Sequence, residues 1–128
     1  MAISIVQLGS KRLKGEGLRI GSVRRPPRGV PKSEFASREF YDSWLPQLAP
    51  SERLVKQALA GETPRQWSSF VKAYRREMSA PDASRLLDLL AALSHTCAFS
   101  LGCYCESEAR CHRSVLRQLL QERRAKLR

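Results

Sequence analysis

Several features that would assign the chain to a class at once are missing from its sequence. No stretch approaches the roughly 18 consecutive apolar residues that a membrane-spanning helix requires. The first residues carry neither the basic leader nor the small-residue cleavage site that marks a secreted protein. We therefore expect a cytoplasmic protein that does not use a membrane as a partner.

Cysteine is absent from most of the chain, because all four cysteines lie between Cys97 and Cys111. Cytoplasmic thiols stay reduced, so we interpret these side chains as core residues, metal ligands or reactive groups in preference to disulfides. We expect Cys97, which lies in a predicted strand, to be a small buried side chain. The other three cysteines make residues 103–113 the segment most suited to carry chemistry.

Acidic residues are few: Asp and Glu number 12 against 23 Lys and Arg, which gives a formal net charge of +11. The excess lies in the outer parts, since residues 1–33 hold eight basic residues against one acid and residues 110–128 hold seven against one. If the fold brings these parts together, they form a positive face that attracts phosphate-bearing partners. A solvated surface without a partner is the alternative interpretation.

Three apolar segments predict strands. Residues 3–8 and 18–23 are short and rich in β-branched side chains, whereas residues 97–104 are almost continuously apolar, as in a buried parallel strand. Capping residues and apolar periodicity predict helices over residues 34–45, 51–59, 63–78 and 82–94, and from residue 111 onward. The loop between the first two strands is too short for a helical crossover, so those strands are antiparallel or not adjacent. This order indicates one α/β domain over residues 1–128, with a small, partly parallel sheet flanked by helices.

Individual residues support the predicted helices. Ser33, Ser51 and Thr63 have side chains that cap helix N-termini, and Gly61 is suited to end a helix. In the helix from residue 63, an apolar stripe at helical spacing predicts a face in the core. That stripe consists of Trp67, Phe70, Val71, Tyr74 and Met78. The leucine-rich helix over residues 82–94 is expected to be largely buried.

Two loops with charged or reactive side chains follow predicted strands. Ligands of open α/β sheets bind beyond the carboxyl ends of the strands, so these loops meet if their strands are parallel. The loop after residues 18–23 carries Arg24, Arg25 and Arg28. The segment after residues 97–104 carries Cys105, Glu106, Cys111, His112 and Arg113. The sequence therefore predicts one pocket formed by both loops.

The run Cys111-His112-Arg113-Ser114 falls in the first turn of the last predicted helix. Free backbone N–H groups and the positive end of the helix dipole favour an anion there, and an arginine adds two parallel donors. We therefore predict a domain that binds a phosphate-bearing small molecule or a nucleic acid. The predicted anion ligands are Arg24, Arg25, Arg28, His112, Arg113 and Ser114.

The same segment also permits enzymatic chemistry on an anionic substrate. A thiol near a helix N-terminus, beside His and Arg, has a lowered pKa and a raised nucleophilicity, which makes Cys105 and Cys111 candidate nucleophiles. Glu106 and His112 are the candidate acid and base. A structural or protein-interaction role is the third interpretation.

A structural zinc ion at Cys103, Cys105, Cys111 and His112 is disfavoured by the spacing of these residues. Structural sites usually take two well-separated pairs of ligands, with about two to four residues between the partners. Adjacent residues such as Cys111 and His112 rarely both reach one ion. No metal or cofactor is therefore predicted.

Five segments of the chain match the motifs of a known family in the same order. They are residues 27–32 (Pro-Arg-Gly-Val-Pro-Lys), residues 44–51, the set Trp67, Phe70, Tyr74 and Glu77, the pair Cys105 and Glu106, and residues 111–114. With these motifs the chain resembles the bacterial and archaeal family catalogued as domain of unknown function 488, in its YeaO-like branch. The resemblance implies a compact α/β domain and a pocket shared by the proline-arginine loop and the Cys-His-Arg turn. It implies no particular reaction.

Overall fold

A four-stranded parallel sheet organises the fold. The computed structural model describes residues 2–60 and 63–128, and within them the strands are β1 (Ile3–Gln7), β2 (Leu18–Gly21), β3 (Ser43–Trp44) and β4 (Phe99–Cys103). The sheet order is β1-β4-β2-β3, and each neighbouring pair is parallel. The predicted α/β class is confirmed, and the sheet is wholly parallel in the described residues.

The strand β4 lies between β1 and β2. Its Leu101 is in register with Ile5 on one side and with Ile20 on the other. This placement confirms that the first two strands of the chain are not adjacent. All residues of β4 are buried, as the continuous apolar pattern of a central parallel strand predicts.

Four α-helices in the described residues contribute to the main core. They are α1 (Glu52–Ala60), α2 (Pro64–Met78), α3 (Pro81–Leu93) and α4 (His112–Glu122). Their apolar side chains form one cluster with Ile3, Ile20, Phe99 and Leu101 of the sheet. Removal of this apolar surface from water is the dominant favourable contribution to folding.

The helix α2 begins and packs as its sequence predicts. The Thr63 hydroxyl accepts the N–H of Gln66 at 3.1 Å, and the Gln66 side chain accepts the N–H of Thr63 at 2.9 Å. This capping box satisfies two N–H groups that the first turn would otherwise leave unpaired. In the predicted stripe, Phe70, Tyr74 and Met78 are buried, and Trp67 and Val71 are partly buried against the core.

The predicted helix over residues 34–45 is wrong. The segment instead forms a short 3-10 turn, further turns and the strand β3. Glu39 has a φ of +67°, which is incompatible with a right-handed helix. The ring of Tyr41 packs against Gly21 of β2, in a cluster separate from the main core. The packing of Tyr41 outweighs the helical sequence pattern of residues 34–45. Ser33 therefore caps no α-helix.

Two expectations about burial are also wrong. Cys97 lies before β4 and is exposed, with its sulfur 3.4 Å from a carbonyl oxygen at the end of α3. The helix α3 is only partly buried, since Leu87 is fully buried and Leu89 is 54% exposed. It is therefore a surface helix with one apolar face. The predicted helix stop at Gly61 lies outside the described residues.

The last residues of the chain lie beside β1. The N–H of Ile3 donates to the carbonyl of Lys126 at 2.9 Å, and the N–H of Arg128 donates to the carbonyl of Ile3 at 2.8 Å. Leu127 therefore forms a parallel bridge with Ile3 at the outer edge of the sheet. None of the helices in the described residues is long and apolar enough to cross a bilayer.

Candidate functional site

A cavity lies beyond the carboxyl ends of β2 and β4. The two strands are adjacent and parallel, and Ser22 continues their pairing by donating its N–H to the carbonyl of Gly102 at 2.9 Å. The chain leaves both strands at the same edge, where the cavity has a volume of about 260 Å³. Its described lining residues are Val23, Arg24, Arg25, Pro50, Glu52, Val55, Lys56, Cys103, Tyr104, Cys105 and His112. Open α/β sheets bind their ligands at this edge.

The basic side of the cavity is formed by the exit of β2 and by α1. Arg24 donates from Nε and Nη2 to the carbonyls of residues 49–50, each at 3.1 Å. These bonds hold its guanidinium against the chain just before α1. Arg25 forms an ion pair with Glu52, and Lys56 lies one turn further along α1 with an exposed side chain.

Three thiols converge on the other side of the cavity. Cys103, the last residue of β4, and Cys111, the residue before α4, are buried with their sulfurs 2.7 Å apart. Cys105 is exposed, and its N–H donates to the sulfur of Cys103 at 3.3 Å. Hydrogen bonds from the Cys103 and Cys111 thiols, and then the nearby charge of Arg113, lower the pKa of Cys105. Bonding to Cys105 and Cys111, followed by burial, raises the pKa of Cys103.

His112 is buried beside the thiols in a defined tautomer. Its Nε2 lies 2.8 Å from the carbonyl oxygen of Ser22, which can only accept, so Nε2 carries the hydrogen. Its Nδ1 therefore presents a lone pair, and this atom lies 3.6 Å from the sulfur of Cys111. Burial lowers the pKa of His112 to about 4, so the ring is neutral at neutral pH.

The cavity and its flanking strands lie within a segment that one family model covers. The model described as "Active DUF488-N3 subclade" matches residues 3–124 of the chain. The chain belongs to the DUF488 family. The match includes both strand exits and α1, and it confirms the family resemblance carried by the sequence motifs. Neither the curated proteins nor the solved structures gave a significant match.

The fold of this DUF488 protein brings part of the predicted site together. The predicted residues that line the cavity are Arg24, Arg25, Cys105 and His112. Cys111 lies directly behind them, with its sulfur against that of Cys103. The two strand exits therefore meet, as expected for neighbouring parallel strands.

Four other predicted residues lie elsewhere in the DUF488 protein. Arg28 and Glu106 are exposed, and neither is among the described residues that line the cavity. Arg113 is 3% exposed, and its Nη2 donates to the carbonyl of Cys105 at 2.6 Å. The hydroxyl of Ser114 donates to the carbonyl of the residue before α4 at 2.9 Å. Arg113 and Ser114 thus hold the loop in place instead of facing the cavity.

The contribution of α1 to the DUF488 cavity is absent from the sequence-based prediction. Glu52, Val55 and Lys56 line the cavity, although α1 is remote in sequence from both strand exits. Their spacing places them on one helix face, but that pattern does not indicate what the face borders. Tyr104 is a further lining residue, and its hydroxyl donates to the carbonyl of Arg25 at 2.9 Å.

Proposed function

We propose that this DUF488 protein binds a small anionic molecule, of the phosphate-bearing class, in the cavity beyond β2 and β4. The observation that carries the proposal is the presence of Arg24, Arg25 and Lys56 around one concave site at the strand ends. Open α/β sheets use this edge for ligands. An arginine can bind phosphate or carboxylate oxygens through two parallel, charge-assisted hydrogen bonds.

The walls between these cations are apolar. Val23, Pro50 and Val55 line the cavity together with the ring of Tyr104. Small-molecule sites combine such walls with a few polar groups that fix the orientation of the ligand. A fitting ligand therefore has an apolar or planar body and one anionic group directed at the arginines.

The two arginines contribute in different ways. The hydrogen bonds of Arg24 to residues 49–50 fix its guanidinium before a ligand arrives, so little side-chain entropy is lost on binding. Arg25 is paired with Glu52, and its side chain is 72% exposed. Because an exposed pair of this kind contributes only about 0–1 kcal/mol, an anionic ligand can replace the carboxylate of Glu52.

The dimensions of the cavity favour a small molecule over a nucleic acid. Its volume of about 260 Å³ is close to the lower end of ligand pockets, about 300 Å³. Nucleic-acid binding instead uses an extended basic groove, often with exposed aromatic rings that stack on the bases. In α2 the rings of Phe70 and Tyr74 are 3% and 0% exposed, so they are core residues and not a stacking surface.

Thermal unfolding with and without anions tests this proposal. We would measure the unfolding temperature of the wild-type protein with inorganic phosphate, pyrophosphate and a nucleoside monophosphate at fixed ionic strength. A ligand present at about 100 times its Kd adds about 2.7 kcal/mol to the free energy of unfolding. In a domain of this size that increase raises the unfolding temperature by several degrees.

Matched pairs of variants locate the site. We expect Arg25→Gln and Lys56→Gln to reduce the ligand-induced shift strongly, because both remove a cation from the cavity. The control for Arg25→Gln is Arg28→Gln in the same loop, and the control for Lys56→Gln is Arg53→Gln in the same helix. Both controls remove one positive charge outside the described lining of the cavity, so the ligand-induced shift should stay unchanged. Equal losses in both pairs would contradict the proposal, since they would indicate a nonspecific response to net charge.

A further inference from the structure

A cluster of side chains on the thiol side of the cavity has the geometry of a metal site. Candidate ligand atoms of Cys103, Cys111 and His112 lie within 4.8 Å of one another, and all three residues are buried. We propose that these residues bind a divalent ion of the zinc type, with Cys105 as the fourth ligand. This site goes beyond the proposed anion site and does not depend on it.

The distances within the cluster are close to those of a tetrahedral metal site. With metal–sulfur bonds of about 2.3 Å and metal–nitrogen bonds of about 2.0 Å, neighbouring ligand atoms lie about 3.5–3.8 Å apart. The separation of 3.6 Å between the Cys111 sulfur and Nδ1 of His112 is already in this range. The sulfurs of Cys103 and Cys111, at 2.7 Å, need to separate by about 1 Å to accept an ion. Rotation of two free thiols supplies such a movement.

The second ring nitrogen of His112 is bonded as in a metal-ligating histidine. Such histidines donate their other ring N–H to a carbonyl or carboxylate, which fixes the tautomer and the ring orientation. Here Nε2 donates to the carbonyl of Ser22 at 2.8 Å. Ser22 is itself fixed to the carbonyl of Gly102 by its N–H and its hydroxyl, each at 2.9 Å. Nδ1 is therefore the nitrogen available to a metal.

Cys105 completes the ligand set from the solvent side. Its N–H donates to the sulfur of Cys103 at 3.3 Å, so the residue directly adjoins the buried cluster. Arg113 holds the carbonyl of Cys105 at 2.6 Å, which fixes the position of the loop. Backbone N–H donors and a neighbouring arginine stabilise the thiolate form that a metal requires.

The backbone geometry at Cys111 and His112 allows both residues to bind one ion, although they are adjacent in sequence. Cys111 has an extended backbone, with φ −126° and ψ 154°, whereas His112 begins α4. The chain turns between these adjacent residues, and ligand atoms of both lie within 4.8 Å of the sulfur of Cys103. Sulfur and imidazole ligands select zinc-type ions over magnesium or calcium. Binding releases the thiol protons to solvent.

Titration of the reduced, metal-free protein with cobalt(II) tests the site. We expect one equivalent to bind with the strong visible bands of tetrahedral cobalt and a sulfur-to-cobalt charge-transfer band, and zinc to displace it. Cys105→Ser changes an exposed residue and should keep one equivalent while losing about one third of the charge-transfer intensity, because two of three thiolates remain. Cys97→Ser is the matched control, since Cys97 is exposed outside the cluster, and should change neither quantity.

Alkylation of the wild-type protein provides a readout that needs no variant. We expect zinc to slow the labelling of Cys105 by iodoacetamide by about tenfold or more, because a metal-bound thiolate is shielded. Labelling of Cys97 should be unaffected. Absence of a thiolate-to-cobalt band, or equal labelling of Cys105 with and without zinc, would overturn the proposal and leave Cys105 as a free nucleophile. Neither the cobalt spectrum nor the alkylation rate depends on anion binding. The metal site and the anion site are therefore tested independently.

Discussion

Glu16, just before β2, and Arg19 of β2 form an ion pair in which the two side chains are 1% and 0% exposed. Arg19 donates from Nε to Oε2 of Glu16 at 2.7 Å and from Nη2 to Oε1 at 2.9 Å. Ser100 of β4 donates to the same carboxylate at 2.6 Å, and Nη1 of Arg19 donates to the carbonyls of Ser10 and Glu39. The pair therefore joins two loops to the sheet.

Glu16→Gln is expected to destabilise the protein strongly, because it leaves the buried guanidinium of Arg19 without a counter-ion. Removing one partner of a buried pair costs about 3–5 kcal/mol, and urea denaturation measures the change in the free energy of unfolding. The control is Glu106→Gln, at an exposed position, for which we expect less than about 0.5 kcal/mol. A loss of only about 1 kcal/mol for Glu16→Gln, as for a surface pair, would contradict this assignment.

The same pair makes stability depend on pH. Burial acts to raise the pKa of Glu16, but hydrogen bonds from Arg19 and Ser100 outweigh it and lower the pKa from 4.5 to about 2. The unfolded chain therefore takes up this proton at a higher pH than the folded chain, so the stabilisation is complete above pH 4.5 and is lost as the pH falls toward 2. Denaturation at a series of pH values should show a steeper loss across this window for the wild type than for Glu16→Gln. Parallel curves would exclude Glu16 as the cause.

Features at the residue scale are the hardest to predict from this sequence. Glu16 and Arg19 are separated by three positions, and that spacing is equally compatible with an exposed pair and a buried one. The sequence around Arg113 likewise does not indicate its burial, yet its side chain is buried and donates to the carbonyl of Cys105. Burial depends on the fold around a residue, which local sequence does not describe.

At the scale of elements, the helix predictions differ in how many independent sequence signals support them. The helix α2 is supported by several signals, whereas the wrong helix over residues 34–45 is supported by fewer. The helix α2 has a capping box at Thr63, a proline at its first position and a long apolar stripe, and these signals agree. Residues 34–45 have fewer such signals, and the packing of Tyr41 against Gly21 decides their structure. The β-branched strands, and helices supported by several signals, are therefore predictable. The packing of Tyr41 on the sheet is not.

The capping box of α2 gives a prediction at the element scale. Thr63→Ala removes the hydroxyl that accepts the N–H of Gln66, and loss of such a cap costs about 1 kcal/mol. Urea denaturation should show this loss. Ser69→Ala, at an exposed position inside the same helix, is the control and should cause no loss, because alanine has the higher helix propensity. A similar loss in both variants would mean that the cap is not the source of the effect.

At the scale of the whole molecule, net charge is a weaker guide to the site than strand topology. Residues from the two basic ends do meet, since Ile3 and Leu127 form a bridge. Several of their arginines, however, are paired with acids: Arg12 with Asp42, Arg117 with Glu108, and Arg123 with Asp88. The net charge of +11 already counts these acids, so pairing does not lower it. It does engage several arginines in contacts away from the cavity.

The position of the cavity could be predicted from sequence because it follows from a general rule for parallel strands. The contribution of α1 and the convergence of Cys103, Cys111 and His112 could not. Both depend on how segments distant in the chain pack at the same edge of the sheet. The sequence therefore indicates where the cavity lies, and the structure shows which side chains line it.

Amide chemical-shift mapping by NMR during a titration with inorganic phosphate, at constant ionic strength, tests directly whether the cavity binds an anion. We expect saturable shift changes confined to residues 22–25, to α1 from Glu52 to Lys56, and to the segment from Cys103 to His112. Small, non-saturating changes spread over α2, α3 and the chain ends would contradict binding in the cavity beyond β2 and β4. They would show that phosphate associates only with the charged surface.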